Sequence, residues 1–505
     1  MSEPTDMPEM AYVRSEILPE RAPPATSVGI VGWARANLFN GIGNSILTVL
    51  ALILLWYVLA FLVPWILSPT WNSGSLNECR EILGTGHGHS GACWGVINER
   101  WQQLLFGFYP NGSAEGTMDQ RWRPVVAFAL LFVALIPILF NMISRRMNWV
   151  LLLAVLGLTG LYLGGAFGVI LGLLLLAASA FVGFKAFSTS KEDRAAEIAQ
   201  GAKRLPNPLI FTAIYPFLAP WLLWGGSIWL PISAALGFVV GYLAYRFLTP
   251  IVGSLVGLII AVVASVVWWL ALTSGFANLL HSIIPIGLDP VDSRNFGGFM
   301  LSVTIGVVAI ACSLPIGVVL ALGRQSDLLI VRALCVGFIE FIRGVPLITL
   351  LFVASTLLNI FMPPGTNFDI ILRVLIMVTL FAAAYMAEVI RGGLAALPTG
   401  QYEAADALGL DYWKAQRLII MPQALKISIP GIVSTFIGVF KDTVLVSIIG
   451  LLDPLGLTNG IRGDQNWNGI VWELYGFIAL MFFIFCFSMS RYSMYLERRL
   501  RTDHR

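Results

Sequence analysis

Charge is scarce in this sequence: lysine, arginine, aspartate and glutamate make up only 12% of its 505 residues, whereas 57% are hydrophobic. Long runs carry no charged residue, and many could cross a hydrocarbon core about 30 Å thick. Such a chain needs a lipid bilayer as its solvent. The composition therefore predicts an all-α, polytopic membrane protein, and the small net charge of +3 gives no reason to expect a nucleic-acid partner.

Phosphate-binding loops and catalytic clusters are also missing. The pattern G-x-x-x-x-G-K-[ST] does not occur, and the dipeptide GK is absent altogether. The four histidines, at positions 87, 89, 281 and 504, are scattered, and no nucleophile, base and orienting group stand together. We therefore expect neither a catalytic site nor an ATP-binding site in this chain.

The apolar runs predict roughly twelve membrane-spanning helices of about 20 residues each. Two runs, 147–184 and 208–245, have double length, and the glycines in LYLGGAFG (161–168) and LLWGGSIW (222–229) are expected to divide them with turns. The other runs lie at 44–67, 124–140, 250–272, 298–323, 344–362, 370–387, 430–450 and 474–490.

The distribution of lysine and arginine between loops predicts the orientation of these spans. Placing the basic loops in the cytoplasm puts both termini there and leaves residues 68–123 in the periplasm. Residues 1–40 lack the apolar core and cleavage site of a signal peptide, so we expect them to form a cytoplasmic tail. Residues 491–505 are basic and are expected to form a second one.

Two of the five cysteines, Cys79 and Cys93, fall in the predicted periplasmic loop. An oxidising compartment would allow a disulfide between them. Free thiols are one alternative, and a metal site with His87 and His89 is another, although NECREILGTGHGHSGACW offers too few ligands at zinc spacing for us to assign a metal. The other three cysteines lie in predicted spans, where they are expected to be packing residues.

The stretch EAADALGLDYWKAQRLIIMP (403–422) interrupts the apolar runs on the predicted cytoplasmic side. Before it, Pro398 and Thr399 suit the first turn and the cap of a short helix, and Gly409 suits a left-handed stop. Asp411 can then cap a second, basic helix that ends at the proline of the stretch. Two helices that meet at a glycine form a projecting elbow for another protein; the alternative is an amphipathic helix lying in the lipid headgroups.

The spacing in this stretch resembles the EAA loop of ABC importer permeases, E-A-A-x3-G-x9-I-x-L-P, with Met421 in place of the usual leucine. The resemblance implies a coupling helix that docks into a groove on a cytoplasmic ATPase subunit. The residues that it assigns to this coupling are Glu403, Ala404, Ala405, Asp406, Gly409 and Pro422.

Residues 295–490 resemble the permease subunits of polar amino acid uptake systems. The similar stretches are EFIRGVPLITLLF (340–352), AAYMAEVIRGGLAALPTGQYEAADALGL (383–410) and PQALKISIPGIVSTFIGVFKDTVLVSIIG (422–450). Val444 stands where this family more often has serine. The difference leaves the fold prediction intact but bears on which substrates are carried. The resemblance implies a type I ABC permease core, with the coupling loop at 391–429.

The preceding part, residues 41–290, is similar to the long N-terminal extension of general L-amino acid permeases, through GACWGVINERWQQLLFGFYP (91–110). The resemblance implies an importer in the inner membrane that carries polar or acidic L-amino acids, such as glutamate, glutamine, aspartate and asparagine, from periplasm to cytoplasm. The resemblance does not imply what this N-terminal extension does within the transporter.

The same resemblance implies the partners of the chain. A pair of ATPase subunits would hold ATP and Mg²⁺, while this chain would bind no cofactor. A periplasmic substrate-binding protein would deliver the amino acid. The coupling motif occurs once, whereas these transporters use two permease halves, so a second permease subunit, homologous or identical, is required.

Six charged residues are candidates for the substrate pathway, because a zwitterion needs both a cation and hydrogen-bond acceptors. Two pairs stand three residues apart near cytoplasmic ends of spans, where structural ion pairing is the alternative. The third pair interrupts an apolar span, where each charge costs about 2.5 to 3.5 kcal/mol on insertion scales; the alternative is a buried ion pair. The pairs are Glu340 and Arg343, Glu388 and Arg391, and Lys441 and Asp442.

An ion-gradient-driven secondary amino acid transporter is the alternative function. Such a protein normally shows two related halves. The first seven predicted spans contain no second copy of FIRGVPL or EAADALG. A membrane-embedded enzyme is disfavoured because no catalytic cluster is present, and co-purification with an ATPase would separate these alternatives from the importer.

Overall fold

The structure, a computed structural model, describes residues 29–67, 69–86, 91–112, 118–140, 145–187, 208–361 and 369–500. These residues are almost entirely helical. Within the described ranges, the strands are limited to an antiparallel pair of two-residue segments, β1 (Gly226–Ser227) and β2 (Gly287–Leu288). The chain divides into two compact units, Met1–Gly95 and Val96–Arg505.

The first unit holds one long apolar helix and a small loop structure. Its helices are α1 (Gly29–Asn37), α2 (Ile42–Leu67) and α3 (Leu76–Gly86). α2 has 26 residues, none of them charged and none buried. It is the first candidate membrane span.

The loop after α2 is closed by a disulfide between Cys79 and Cys93, both of which are buried. Backbone hydrogen bonds hold the same loop, from Thr70 N to Ala92 O at 2.9 Å and from Ala92 N to Trp65 O at 3.1 Å. His87 and His89, considered above as metal ligands, lie outside the described residues.

The second unit begins with the helices of the predicted extension. They are α4 (Gly95–Phe106), α5 (Trp122–Leu139), α6 (Arg145–Leu163), α7 (Gly165–Phe187), α8 (Leu209–Trp224), α9 (Trp229–Val252), α10 (Ser254–Val267) and α11 (Thr273–Ile283), with a π-helical turn, Trp268–Leu272, between the last two.

The helices of the predicted permease core follow. They are α12 (Gly298–Arg324), α13 (Leu329–Gly344), α14 (Leu347–Phe361), α15 (Ile370–Ala395), α16 (Gly400–Ala407), α17 (Tyr412–Ala415), α18 (Met421–Asp442), α19 (Pro454–Arg462) and α20 (Trp472–Leu500). A π-helical segment, Gln416–Ile420, precedes α18, and a 3-10 helix, Thr443–Ile449, follows it.

The glycines that were predicted to divide the double-length runs do divide them. Gly164 and Gly165, with φ of 69° and 71°, separate α6 from α7, and Gly225 and Gly226, with φ of 75° and 83°, separate α8 from α9. Residues with a side chain larger than hydrogen rarely adopt such φ angles, so glycine is required at these turns. This prediction is confirmed.

Among the described residues, ten helices are long and apolar enough to cross a membrane. An eleventh span is added if the segments Leu329–Gly344 and Leu347–Leu357, bent by 103°, count as one broken span. α8 is apolar but has only 16 residues. The predicted all-α architecture with roughly twelve spans agrees with these helices.

Extension and permease helices share one hydrophobic core. Ala127 of α5 and Leu222 and Leu223 of α8 belong to the same buried cluster as Met300 and Ile305 of α12. The cluster also includes buried residues of α14, α15 and α18. Packing therefore continues across the boundary predicted between residues 290 and 295.

Segments from both parts also meet at one end of the second unit, here called the outer end, which carries residues 96–112, 118–122, 225–228, 284–297 and 450–471. Gly107 forms a backbone bridge to Phe296, and Gly297 forms one to Leu452. Gly298 N donates to Leu452 O at 2.8 Å. The opposite end, which carries the elbow, is called the inner end.

Candidate functional site

The stretch interpreted as a coupling loop forms two helices that meet at a glycine. α16 is followed by Gly409, whose φ of +67° lies in the left-handed region. α17 begins after Asp411, whose carboxylate accepts a hydrogen bond from the backbone N–H of Lys414 at 2.8 Å. The predicted left-handed turn and the predicted cap at Asp411 are both confirmed.

Two details of the predicted elbow are wrong. Thr399 precedes α16 but makes no side-chain hydrogen bond to the helix end. The second helix does not end at Pro422, because the segment Gln416–Ile420 leads directly into α18. Pro422 lies in the first turn of α18, a position that tolerates the missing N–H, so the elbow is mechanically continuous with a membrane span.

Most of the residues assigned to coupling are accessible to another protein. Glu403, Ala404, Asp406 and Gly409 are exposed, whereas Ala405 is buried. Of these two alanines, only Ala404 can therefore be approached closely by another protein. Pro422 is exposed as well.

Five charged side chains from three helices meet at the inner end. Glu388 accepts a hydrogen bond from Arg391 Nε at 2.7 Å, and its carboxylate lies 3.0 Å from Arg324 Nη1 and 3.5 Å from Arg343 Nη1. Glu340 lies 3.2 Å from the same Arg324 nitrogen. The network joins α12, α13 and α15.

This arrangement corrects one predicted pairing. Glu388 pairs with Arg391 as expected, but in the described residues Glu340 pairs with Arg324 and Arg343 pairs with Glu388. Arg324, which was not among the predicted site residues, links both glutamates because the end of α12 lies beside α13 and α15. Residues that pair between helices lie far apart in the sequence, so no short-range pattern predicts their contact.

The charge network is only partly shielded from solvent. The Glu388 side chain is 23% exposed and the Glu340 side chain 55% exposed. Three arginines face two glutamates, which leaves an excess of one positive charge. Such a network can hold three helix ends together and can be broken when they move apart.

Lys441 and Asp442 lie at the end of α18, away from the inner network. Lys441 is exposed and Asp442 is partly buried. In the part of the chain that the structure describes, neither side chain makes a hydrogen bond or an ion pair within 4.0 Å, so the predicted alternative of a buried ion pair is not formed.

A cavity of about 350 Å³ opens beside Lys441. Its wall combines the end of α18 and the 3-10 helix that follows it with the middle of α20. The lining residues are Lys441, Val444, Ala479, Phe482, Phe483 and Cys486. Lys441 is the charged group among them.

Asp453 at the outer end is a residue that the sequence reasoning missed. It is buried, and its carboxylate accepts hydrogen bonds from the backbone N–H groups of Leu455 at 3.1 Å and Gly456 at 2.9 Å, which caps α19. Burial raises the pKa of Asp453 to about 6, although these hydrogen bonds act in the opposite direction. The signal was available, since an aspartate directly before Pro454 is typical of a helix start.

Metal chemistry finds no support in the described ranges. They contain no group of three or more histidine, cysteine, aspartate or glutamate residues that could hold an ion. Cys312, Cys335 and Cys486 are free thiols within or beside the apolar helices.

Comparison with known proteins identifies relatives over both the whole chain and its C-terminal part. Residues 313–502 match the family model described as binding-protein-dependent transport system inner membrane component. The chain is 50% identical over 502 residues to the glutamate/glutamine/aspartate/asparagine transport system permease protein BztC of Rhodobacter capsulatus, covering 99% of this chain and 100% of that protein.

Two further relatives show the range of lengths. The inner membrane amino-acid ABC transporter permease protein YhdY of Escherichia coli is 35% identical over 471 residues, or 93% of each chain. A probable glutamine ABC transporter permease protein, GlnP of Bacillus subtilis, is 30% identical over 204 residues, which are 40% of this chain and 91% of the relative.

Proposed function

The chain belongs to the amino-acid permeases of ATP-binding-cassette (ABC) transporters, and we propose that it carries acidic amino acids and their amides into the cell. It is a transport subunit of the inner membrane and not an enzyme. The proposed substrates are glutamate, glutamine, aspartate and asparagine.

The similarity to the Rhodobacter protein carries this proposal. It extends over 99% of the chain and includes the extension, so it is not limited to features shared by all permeases. The exposed elbow supports the mode of energy coupling, because Glu403, Ala404 and Asp406 form an accessible surface. This elbow continues through α17 into α18, so a movement of the ATPase would reach a membrane span directly.

The family works with an ATPase and a substrate-binding protein. In the proposed assembly, two ATPase subunits hold ATP and Mg²⁺, and this chain binds no cofactor. A second, homologous permease completes the pair, because the coupling motif occurs once in this chain. A heterodimer is the proposed arrangement; a pair of identical subunits is its alternative.

The proposed orientation places the outer end in the periplasm and both termini in the cytoplasm. Its support is that Arg123, at the end of the predicted periplasmic loop, donates to Asp289 O at 2.8 and 2.9 Å, and Val291 N donates to Trp224 O at 2.8 Å, so these segments lie at the same end as that loop. Membrane-impermeant thiol labelling of Ser113→Cys and Ser190→Cys tests this orientation. Labelling from outside is expected at the first position alone, and equal labelling would contradict it.

Uptake by the reconstituted transporter tests the function. The permease pair, the ATPase and the binding protein are placed in vesicles with ATP inside, and entry of labelled glutamate is measured against a panel of unlabelled amino acids. We expect ATP-dependent uptake that glutamine, aspartate and asparagine suppress and that persists without an ion gradient. Uptake driven by an ion gradient without ATP would instead support a secondary transporter.

A further inference from the structure

Lys441 lies near the middle of the membrane. Its cavity is walled by Ala479 and Cys486 of α20, which follow Trp472 by 7 and 14 residues. With Trp472, the first residue of this candidate span, taken as the membrane surface, these positions lie about 10 and 21 Å deep at 1.5 Å per residue, within a hydrocarbon core about 30 Å thick. The lysine stem is too short to bring its ammonium group to either surface from this depth.

The ammonium group of Lys441 is accessible, and the carboxylate of its neighbour Asp442 lies beyond ion-pair distance. The residue is exposed, and within the described ranges its Nζ makes no hydrogen bond and no ion pair. A cation that faced hydrocarbon at this depth would be strongly unfavourable, so intramembrane charges face water-filled cavities or other protein. The surface formed by the end of α18 and the middle of α20 is therefore not a lipid-facing surface.

The walls of the cavity define what could bind there. Val444, Phe482 and Phe483 are apolar, and no acidic side chain lines the space. Apolar walls lower the local dielectric constant and strengthen attraction between the ammonium group and an anion. The ammonium offers three hydrogen-bond donors and no acceptor. The site therefore suits a small organic anion and not a cation.

We propose that Lys441 binds the α-carboxylate of the amino acid during its passage, in the cavity between α18 and α20. The inference rests on the proposed function, because it takes amino acids as the transported molecules. The α-carboxylate is chosen over the side-chain carboxylate because acidic amino acids and their amides share it. The cavity thus recognises the α-carboxylate, which the substrates have in common, and does not distinguish their side chains.

The experiment compares uptake of labelled glutamate and labelled glutamine by the complete reconstituted transporter. Lys441→Met keeps the length of the side chain and removes its charge, whereas Lys441→Arg keeps a cation. Lys185→Met is the matched control, because it removes a lysine from α7, where the ammonium lies 4.6 Å from the Phe181 ring. The amount of assembled complex and the ATP hydrolysis stimulated by loaded binding protein are measured on the same preparations.

We expect Lys441→Met to lower uptake of both amino acids at least tenfold and to the same extent, with unchanged assembly and stimulated hydrolysis. Lys441→Arg should retain more uptake than Lys441→Met, and Lys185→Met should match the unaltered protein.

Loss of glutamate uptake alone would overturn the assignment to the α-carboxylate. Loss of assembled complex would instead make Lys441 a bracing residue. Normal uptake by Lys441→Met would overturn the inference and leave the proposed function intact, whereas absence of amino acid uptake by the unaltered protein would refute that function.

Discussion

The two ends of the second unit are built from different interactions. At the outer end, backbone bridges join Gly107 to Phe296 and Gly297 to Leu452, and the fully buried Trp467 donates from Nε1 to Glu99 Oε2 at 2.8 Å. At the inner end, partly exposed arginines and glutamates join the helices, and the elbow presents exposed polar and small residues. One end is closed by the chain itself, whereas the other is left open.

This difference assigns a structural role to the extension. Glu99 and Arg100 lie on α4, and both bind the loop after α19: Arg100 Nη2 lies 3.0 Å from the Asp464 carboxylate. The extension therefore completes the outer end of the permease core. In the described residues, no segment of the extension packs over the inner end. This is consistent with a surface that binds the ATPase.

Truncation of Trp467 is expected to have the largest effect on stability. Trp467→Ala removes a fully buried indole together with its bond to Glu99, and removal of a buried tryptophan typically costs about 3 to 5 kcal/mol. The matched control is Trp472→Ala, because Trp472 is 76% exposed. Thermal unfolding in detergent should show a clear loss for the first variant only, and equal midpoints would contradict a tightly packed outer end.

Asp453→Asn is expected to change the pH dependence of stability. The pKa of Asp453 is raised from 3.8 to about 6, so the folded state holds its proton more tightly than the unfolded state does. As pH rises from 4 through 6, this residue should cost the folded protein up to about 3 kcal/mol. Asparagine can still cap the helix but does not titrate.

The measurement is the difference in unfolding midpoint between Asp453→Asn and the unaltered protein at pH 4.5 and pH 7.5. The variant should gain relative stability at the higher pH. A difference that does not change with pH would show that Asp453 titrates normally and is not held in a dry outer end.

Glu403→Ala is expected to weaken binding of the ATPase at the inner end. A charge-assisted contact from Glu403 to a basic residue of the ATPase would contribute roughly 1.5 to 3 kcal/mol. Dissociation of labelled ATPase from the purified permease measures this contribution. Unchanged affinity would remove Glu403 from the docking surface.

Glu340→Ala is expected to have the smallest effect. Its side chain is 55% exposed and its partner Arg324 keeps a second contact with Glu388, so solvent screening limits its contribution to about 1 kcal/mol or less. Thermal unfolding should change little, and ATPase affinity should match that of the unaltered protein. A loss as large as that of Trp467→Ala would mean that the inner network is as critical as the outer packing.

Local sequence patterns predicted the elements that depend on local chemistry. Gly409 and the glycine turns at 164–165 and 225–226 follow from backbone sterics, and the cap at Asp411 follows from side-chain chemistry over three residues. The apolar runs likewise predicted the long helices. Each of these features is decided within a few turns of the chain, so spacing alone was sufficient.

Features that depend on contacts between distant residues were not predictable in this way. Arg324 joins Glu388 across 64 residues, and Trp467 joins Glu99 across 368. The continuity of α18 through Pro422 was also missed, because a proline in a first helical turn looks like a helix end in sequence. The position of Lys441 beside an open cavity required α20 to be placed against α18.

We propose that the elbow couples this permease to an ATPase, and the variant Gly409→Val tests this role. Valine strains a left-handed position by at least about 1 kcal/mol, so the second helix should be redirected. Gly460→Val is the control, because Gly460 has no positive φ and a side chain there meets open space. On one preparation of each variant, membrane insertion, ATPase retained on purification and hydrolysis stimulated by loaded binding protein are measured. We predict that Gly409→Val inserts normally but loses ATPase retention and stimulation, while Gly460→Val keeps its ATPase. Full retention and full stimulation in Gly409→Val would contradict the coupling role.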